Sequence, residues 1–254
     1  MTTAATIDRK TFMPFQDMGL EADDVVSLPL DDLALRVLKS ARAAGERNWQ
    51  NWLLGARNRG YPTRPDAAQA LSEAWAWLQN RGLIAWDVEQ SSTPGMFVIS
   101  RQGEAALDRG LPWIRAVERL NVQMVAELEA KARPQFLRGD FEAAALLAMK
   151  EVEVAVRTAA GLENSLVGTA LMQRAFRPPK SPTDTGGPLS DPAADGGEAV
   201  ALMELYKGAI GLFKNPASHR RVDFTDPTEA AEVVLLADLL LRLLAKAAPP
   251  ASRS

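Results

Sequence analysis

The stretch Leu83-Ile84-Ala85-Trp86 is followed by the polar tip Ser91-Ser92-Thr93-Pro94-Gly95 and then by Met96-Phe97-Val98-Ile99. Two short apolar runs around a Pro-Gly tip predict a β-hairpin. The sequence before it predicts helices. Asp31-Asp32 opens the first, with Leu33, Val37 and Leu38 on one face and acids where the helix dipole favours them. A short second helix holds Trp49, Trp52 and Leu53 and is broken by Gly60-Tyr61-Pro62. A third starts within residues 63–66, carries Leu71, Trp75 and Leu78 at i, i+4, i+7, and stops at Gly82. Arg101-Gln102-Gly103-Glu104 leads from the hairpin into another helix. Trp75 and Trp77 are two residues apart, so they do not face one core. Either one of them is exposed or at an interface, or both lie beneath the hairpin or the connecting helix expected over 111–134.

Three helices followed by a hairpin is the order of a winged helix. The phrase from Leu78 through Gly82 to Asp87, with Gly95 to Leu107 after it, resembles the end of many bacterial winged-helix domains. The resemblance covers residues 30–110 and implies a module in which the third helix meets duplex DNA. Residues 36–64 contain seven Lys/Arg and one acid, Glu46, with Arg57, Arg59 and Arg64 just before that helix. Such an excess suits contact with phosphates. A solvated face is the competing reading. Residues 1–29 have no clear periodicity and are expected to form an irregular arm.

All six tryptophans lie between Trp49 and Trp113, and the 141 residues beyond are rich in Ala and Leu. Two differently built domains follow from that split. A connecting helix is expected over 111–134, running from Pro112 towards Lys131, with a polar break at Pro134. An all-helical bundle is expected over 135–250. Asp140 is placed to N-cap a helix carrying Phe141, Ala144, Ala145, Ala148, Val152 and Ala155 and ending at Gly161. A helix over 165–175 precedes a loop at 177–197 with five Pro and four Gly, a length that is either functional or disordered. Helices follow over 198–213 and from Asp226-Pro227 to Ala247. The chain is thus expected to be mainly α.

Composition narrows the chemistry. The chain has 254 residues, 47% of them hydrophobic and 24% charged, which is ordinary for a globular protein. Its net charge of −3 gives no global attraction to nucleic acid, so any such contact must be local. With no cysteine and one histidine, disulfides, thiol nucleophiles and multi-His metal sites within one chain are excluded. No apolar run approaches the roughly 20 residues that span a bilayer. Residues 1–12 have no signal-peptide core, and a cytoplasmic location without membrane contact is expected.

The single histidine stands in Leu212-Phe213-Lys214-Asn215-Pro216-Ala217-Ser218-His219-Arg220. A cation held near an imidazole is a minimal set for cleaving a phosphodiester, since one holds phosphate and the other moves a proton near neutral pH. Alternatively His219 caps the end of a helix. Asn215 and Pro216 suit the start of a new helix segment, which would turn Lys214 and His219 towards one cleft. Asn215 could also donate to phosphate or to the histidine. Arg220 and Arg221 are further cations beside the motif. Glu151 and Glu153 lie among apolar residues, either facing the cleft to orient the motif cation or on a solvated edge.

Residues 135–247 resemble a bacterial Ymh-type family that is similar to the wider HEPN superfamily of helical bundles. The matching phrases are Phe136-Leu137-Arg138-Gly139-Asp140-Phe141-Glu142-Ala143-Ala144, Leu171-Met172-Gln173-Arg174-Ala175-Phe176, and the helix from Met203 into Lys214-Asn215-Pro216-Ala217-Ser218-His219. Such families carry Arg-Asn-Pro and then His three positions later; here Lys214 replaces the arginine. The resemblance implies a metal-independent, cofactor-free ribonuclease that works as a homodimer. It also implies a role in stress or phage defence, with RNA as substrate and a defence-system protein as partner. It equally implies a binding or assembly module that has lost activity. Lysine is a point charge where arginine is a planar fork. One lost hydrogen bond to a charged group is worth on the order of 1.5–3 kcal/mol, about a tenfold to hundredfold slowing. Natural low activity, a degenerate site, and compensation by Arg220 or Arg221 are the three open readings.

Overall fold

The computed structural model describes residues 17–90, 92–191, 193–214, 224 and 226–247. The chain is mainly helical with one small antiparallel sheet. It divides into two compact units, Met1–Ile114 and Arg115–Ser254.

Unit 1 begins with a helix inside the arm that was expected to be irregular. Helix α1, Ala22–Ser27, buries Val25 completely. The Tyr61 hydroxyl donates to the Leu20 carbonyl at 3.0 Å, and Arg64 pairs with Asp23 at 2.7 Å. One short turn was invisible to periodicity because these long-range ties hold it. Helix α2, Leu30–Ala44, has Asp31 and Asp32 in its first turn and buries Leu33, Val37 and Leu38. Helix α3, Trp49–Gly55, is N-capped by the Asn48 side chain, which accepts from the Gln50 and Asn51 N–H groups. It runs on as a π-helical turn, Ala56–Gly60. Helix α4, Pro65–Asn80, buries Leu71, Trp75 and Leu78.

Both tryptophans of α4 are buried. Trp75 meets Trp52 and Phe97 edge-on, at centroid distances of 5.6 and 4.9 Å. Trp77 is shielded on another face of the helix by the Arg81 guanidinium, 4.2 Å from its ring centroid.

The hairpin forms as its sequence predicts. Strands β1, Ile84–Trp86, and β2, Phe97–Ile99, pair antiparallel with Ile84 opposite Ile99 and Trp86 opposite Phe97. The far edge of β2 is also held. Phe97 N–H donates to the Arg47 carbonyl at 2.8 Å, and Trp49 N–H donates to the Gly95 carbonyl at 3.0 Å. Helix α5, Arg101–Arg119, follows, broken at Gly110 by a left-handed φ of 76°. That break puts Pro112 in a first turn, where its missing N–H costs nothing.

Unit 2 departs from the expected connecting helix. Instead of one helix from Pro112 to Lys131, α5 stops at Arg119 and α6 spans Ala126–Arg138. The cause lies far along the chain. The Asp238 carboxylate accepts the Val125 N–H at 2.7 Å, and Arg242 donates to the Gln123 carbonyl. These contacts satisfy the backbone of 123–125 outside a helix. Pro134 sits inside α6 rather than at a break, and α6 ends at Gly139, φ 87°.

Helix α7, Phe141–Ala160, has Asp140 as N-cap and Gly161 as C-cap. It packs against both α6 and the last helix, α10, Pro227–Ala247. Ala144, Ala145 and Ala148 are fully buried, and their small side chains let neighbouring helices approach closely. Helix α8, Gly168–Ala175, starts three residues later than its sequence suggested. The 177–191 loop is folded: Arg177 grips Asp184 through two bonds of 2.6 and 2.7 Å, and Leu189 is buried. Helix α9, Gly196–Ala209, continues as a π-helical turn, Ile210–Lys214. The Tyr206 hydroxyl ties α9 to α10 by donating to the Leu240 carbonyl at 2.6 Å. Among the described residues no helix is long and apolar enough to cross a membrane.

Candidate functional site

Unit 2 brings three charged side chains together at the head of the histidine string. Glu153 lies on the buried face of α7, between Val152 and Val156. A carboxylate there needs partners, because leaving it bare would cost several kcal/mol, roughly, even after relaxation. It has three. Arg157, one turn on along α7, donates from its terminal nitrogen to Glu153 Oε1 at 2.9 Å. The Gly168 N–H, at the start of α8, donates to Oε2 at 2.8 Å. The Lys214 ammonium, at the end of the π-helical turn, lies 3.1 Å from the same Oε2.

Each partner is placed by its own element. Arg157 follows Glu153 at i+4, so both lie on one stripe of the helix. Its Nε also donates to the Leu166 carbonyl at 3.2 Å, which fixes the loop between α7 and α8. Gly168 has φ +64°, a left-handed conformation that glycine adopts without strain and that starts α8 where its amide meets the carboxylate. Lys214 is 18% exposed and Arg157 13%, so the contacts are largely shielded from solvent. Burial pushes the Glu153 carboxyl up, but the Gly168 N–H, Lys214 and Arg157 outweigh it and hold the group below its ordinary value. Glu153 is therefore charged at neutral pH.

Of the motif itself, Lys214 is described; Asn215, Pro216, His219, Arg220 and Arg221 lie outside the described residues. Of Glu151 and Glu153 on α7, Glu153 meets the motif cation. Glu151 does not: it pairs with Lys131 of α6 at 2.8 Å. The two acids are two residues apart, so they project from different sides of the helix. Arg157 and Gly168 were not singled out in the sequence. Arg157 could have been found from its i+4 spacing to an acid in an apolar helix, whereas Gly168 gives no such signal.

The basic patch of unit 1 is smaller than its sequence implies. Arg57 and Arg59 are exposed on the Ala56–Gly60 turn just before α4. Arg64 is engaged by Asp23 at 2.7 Å and by Asp66 at 2.8 Å, and this pairing draws the Asp66 carboxyl down to about 2. Arg47 pairs with buried Asp87 at 2.6 Å, and Arg42 with Glu104 at 3.0 Å. The partners of these three arginines lie outside the basic stretch in sequence, which is why counting charges within it overstates its field. Among the described residues no cluster of three or more acidic or histidine side chains is arranged as a metal site.

No curated protein and no solved structure matches the chain. The C-terminal part, residues 123–244, matches the family model described as Protein of unknown function (Hypoth_ymh), and that match supports the Ymh-type family for this part of the chain.

Proposed function

We propose that unit 2 is a metal-independent, HEPN-like endoribonuclease that acts as a homodimer, with Lys214 and His219 as its catalytic pair. The observation that carries this reading is the fixing of Lys214 by buried Glu153 at 3.1 Å. A phosphate-binding cation works best when its position is set before the substrate arrives. In the proposed reaction the His219 imidazole removes the proton of a ribose 2′-OH. The 2′-oxygen attacks phosphorus, the P–O5′ bond breaks, and the partner's imidazolium returns a proton to the leaving 5′-oxygen. Lys214 offsets the charge on the phosphorane-like transition state. In this reading Asn215 and Pro216 support the pair, and Arg220 and Arg221, next to His219 in sequence, contact the RNA. A stress-response or phage-defence setting, with a defence-system protein as partner, accords with this activity.

The test is incubation of single-stranded RNA with the full chain in EDTA. Wild type should cleave, and His219→Ala, with helical content unchanged, should not. Equal cleavage by both would remove His219 from the chemistry.

A second reading is a non-catalytic binding or assembly module. It is favoured by lysine in the arginine position and by the share of its charge that Glu153 takes up. Lys214→Arg separates the two. A rise in an existing activity fits a working site; activity gained where the parent has none fits a degenerate one.

For unit 1 we propose duplex-DNA binding by a winged-helix-like module through Arg57 and Arg59. Affinity should fall steeply with salt, because phosphate contacts release counterions. Charge reversal at Arg57 and Arg59 should flatten that slope. Binding indifferent to salt and to these changes would instead indicate a protein-interaction module.

A further inference from the structure

We propose that unit 1 carries a binding site for an uncharged, planar heteroaromatic small molecule, in the cavity between α4 and the hairpin. This cavity has a volume of about 350 Å³, within the range of small-molecule sites and large enough for a two-ring system. Four aromatic rings line it: Trp49, Trp75, Trp86 and Phe97. Trp75 and Phe97 are buried, lie edge-to-face at 4.9 Å, and form a fixed apolar floor. Trp86 is 53% exposed. Its indole face stays in water unless something covers it.

The polarity of the lining sets the ligand's charge. Among the described lining residues there is no Asp, Glu, Lys or Arg, so neither an anion nor a cation would find a countercharge among them. Ser72 and Gln79 of α4 supply one hydroxyl and one amide. These neutral groups suit the ring nitrogens or carbonyl of a heterocycle, while the indoles suit its flat faces. Aromatic cages also take quaternary cations, but usually by charge attraction that a neighbouring acid reinforces, and the described lining residues include none.

The site is built in advance. Trp86 and Phe97 are register partners in the hairpin, and Trp49 is bonded through its N–H to the Gly95 carbonyl at 3.0 Å. The tip is anchored by Asn48, whose side-chain amide donates to the Pro94 carbonyl at 2.9 Å. Three of the four rings therefore ride on one bonded frame, and the fourth rides on α4. A flat ligand would touch both, which couples its binding to the angle between hairpin and helix.

The experiment is calorimetric titration of the full chain at pH 8 with quinoline and benzimidazole, both uncharged there. N-methylquinolinium and quinoline-2-carboxylate serve as charged counterparts. We expect one saturable site for at least one neutral bicycle, with both charged forms weaker by about tenfold, or 1.4 kcal/mol. Trp86→Ala removes an exposed wall and Ala76→Trp fills the cavity mouth. Each should weaken binding by about tenfold without changing the melting profile. No saturable binding of either bicycle at millimolar concentration would overturn the proposal. So would binding that both variants leave intact, and preference for the quinolinium would reassign the cavity as a cation cage.

Discussion

At the scale of single residues, the account turns on Glu153. Its carboxylate is the shared partner of Arg157, Lys214 and the Gly168 amide. Removing its charge takes the shared carboxylate away from two shielded cations, a class of change that costs about 3–5 kcal/mol. Glu153→Gln should therefore lower stability in urea by an amount in that range and should also lower any activity that depends on Lys214. A variant as stable as wild type would show that the cluster contributes little. The pH dependence has a definite sign. Because the folded carboxyl titrates below its ordinary value of 4.5, its contribution is complete above that pH and is lost as pH falls through the folded value. Glu153→Gln should accordingly flatten the acid side of the stability profile and leave the neutral-to-alkaline side parallel to wild type. That Lys214 meets an acid of α7 is legible in the string around Lys214 and in the apolar surroundings of Glu151 and Glu153. Which acid was not legible, because Glu151 and Glu153 differ only in the side of the helix they take. Gly168 contributes a backbone amide, and sequence gives no sign of where an amide points.

At the scale of elements, the hairpin, α2, α4 and α7 were legible because each carries local information: a Pro-Gly tip, a 3.6-residue apolar stripe, an Asp cap, a Gly stop. The break between α5 and α6 was not. Its cause is a carboxylate 113 residues away, Asp238, bonded to the Val125 N–H. Asp238→Ala should strand that amide and free Arg242, lowering stability by about 1–3 kcal/mol. Undiminished stability in thermal melts would mean that another group sets the break. Gly103 makes a second test. It lies so close to the Leu83 carbonyl that an added Cβ would overlap it and would come 2.8 Å from Ile99 Cγ2. The joint between hairpin and α5 therefore needs glycine for space, not for backbone freedom. Gly103→Ala should cost about 1–3 kcal/mol as an overpacked core site does, with loss of tryptophan fluorescence structure in unit 1. A neutral Gly103→Ala would show that hairpin and helix separate without cost.

At the scale of the molecule, the chain divides into two compact units, Met1–Ile114 and Arg115–Ser254, and all six tryptophans lie in the first. The bundle contributes Lys214 and Glu153 from two elements, and the lone histidine gives each chain a single imidazole. In the proposed ribonuclease an acid and a base acting together would therefore require two copies. Light scattering of the full chain at tens of micromolar should report a dimer; a strict monomer would contradict the composite site. The central claim, internal attack by a 2′-OH, is tested most directly by the ends that cleavage leaves. RNA cut by the full chain in EDTA should carry 2′,3′-cyclic phosphate and 5′-hydroxyl termini, while DNA and 2′-O-methyl RNA stay intact because neither offers the nucleophile. Termini with a 5′-phosphate, or cleavage of the 2′-O-methyl strand, would contradict it.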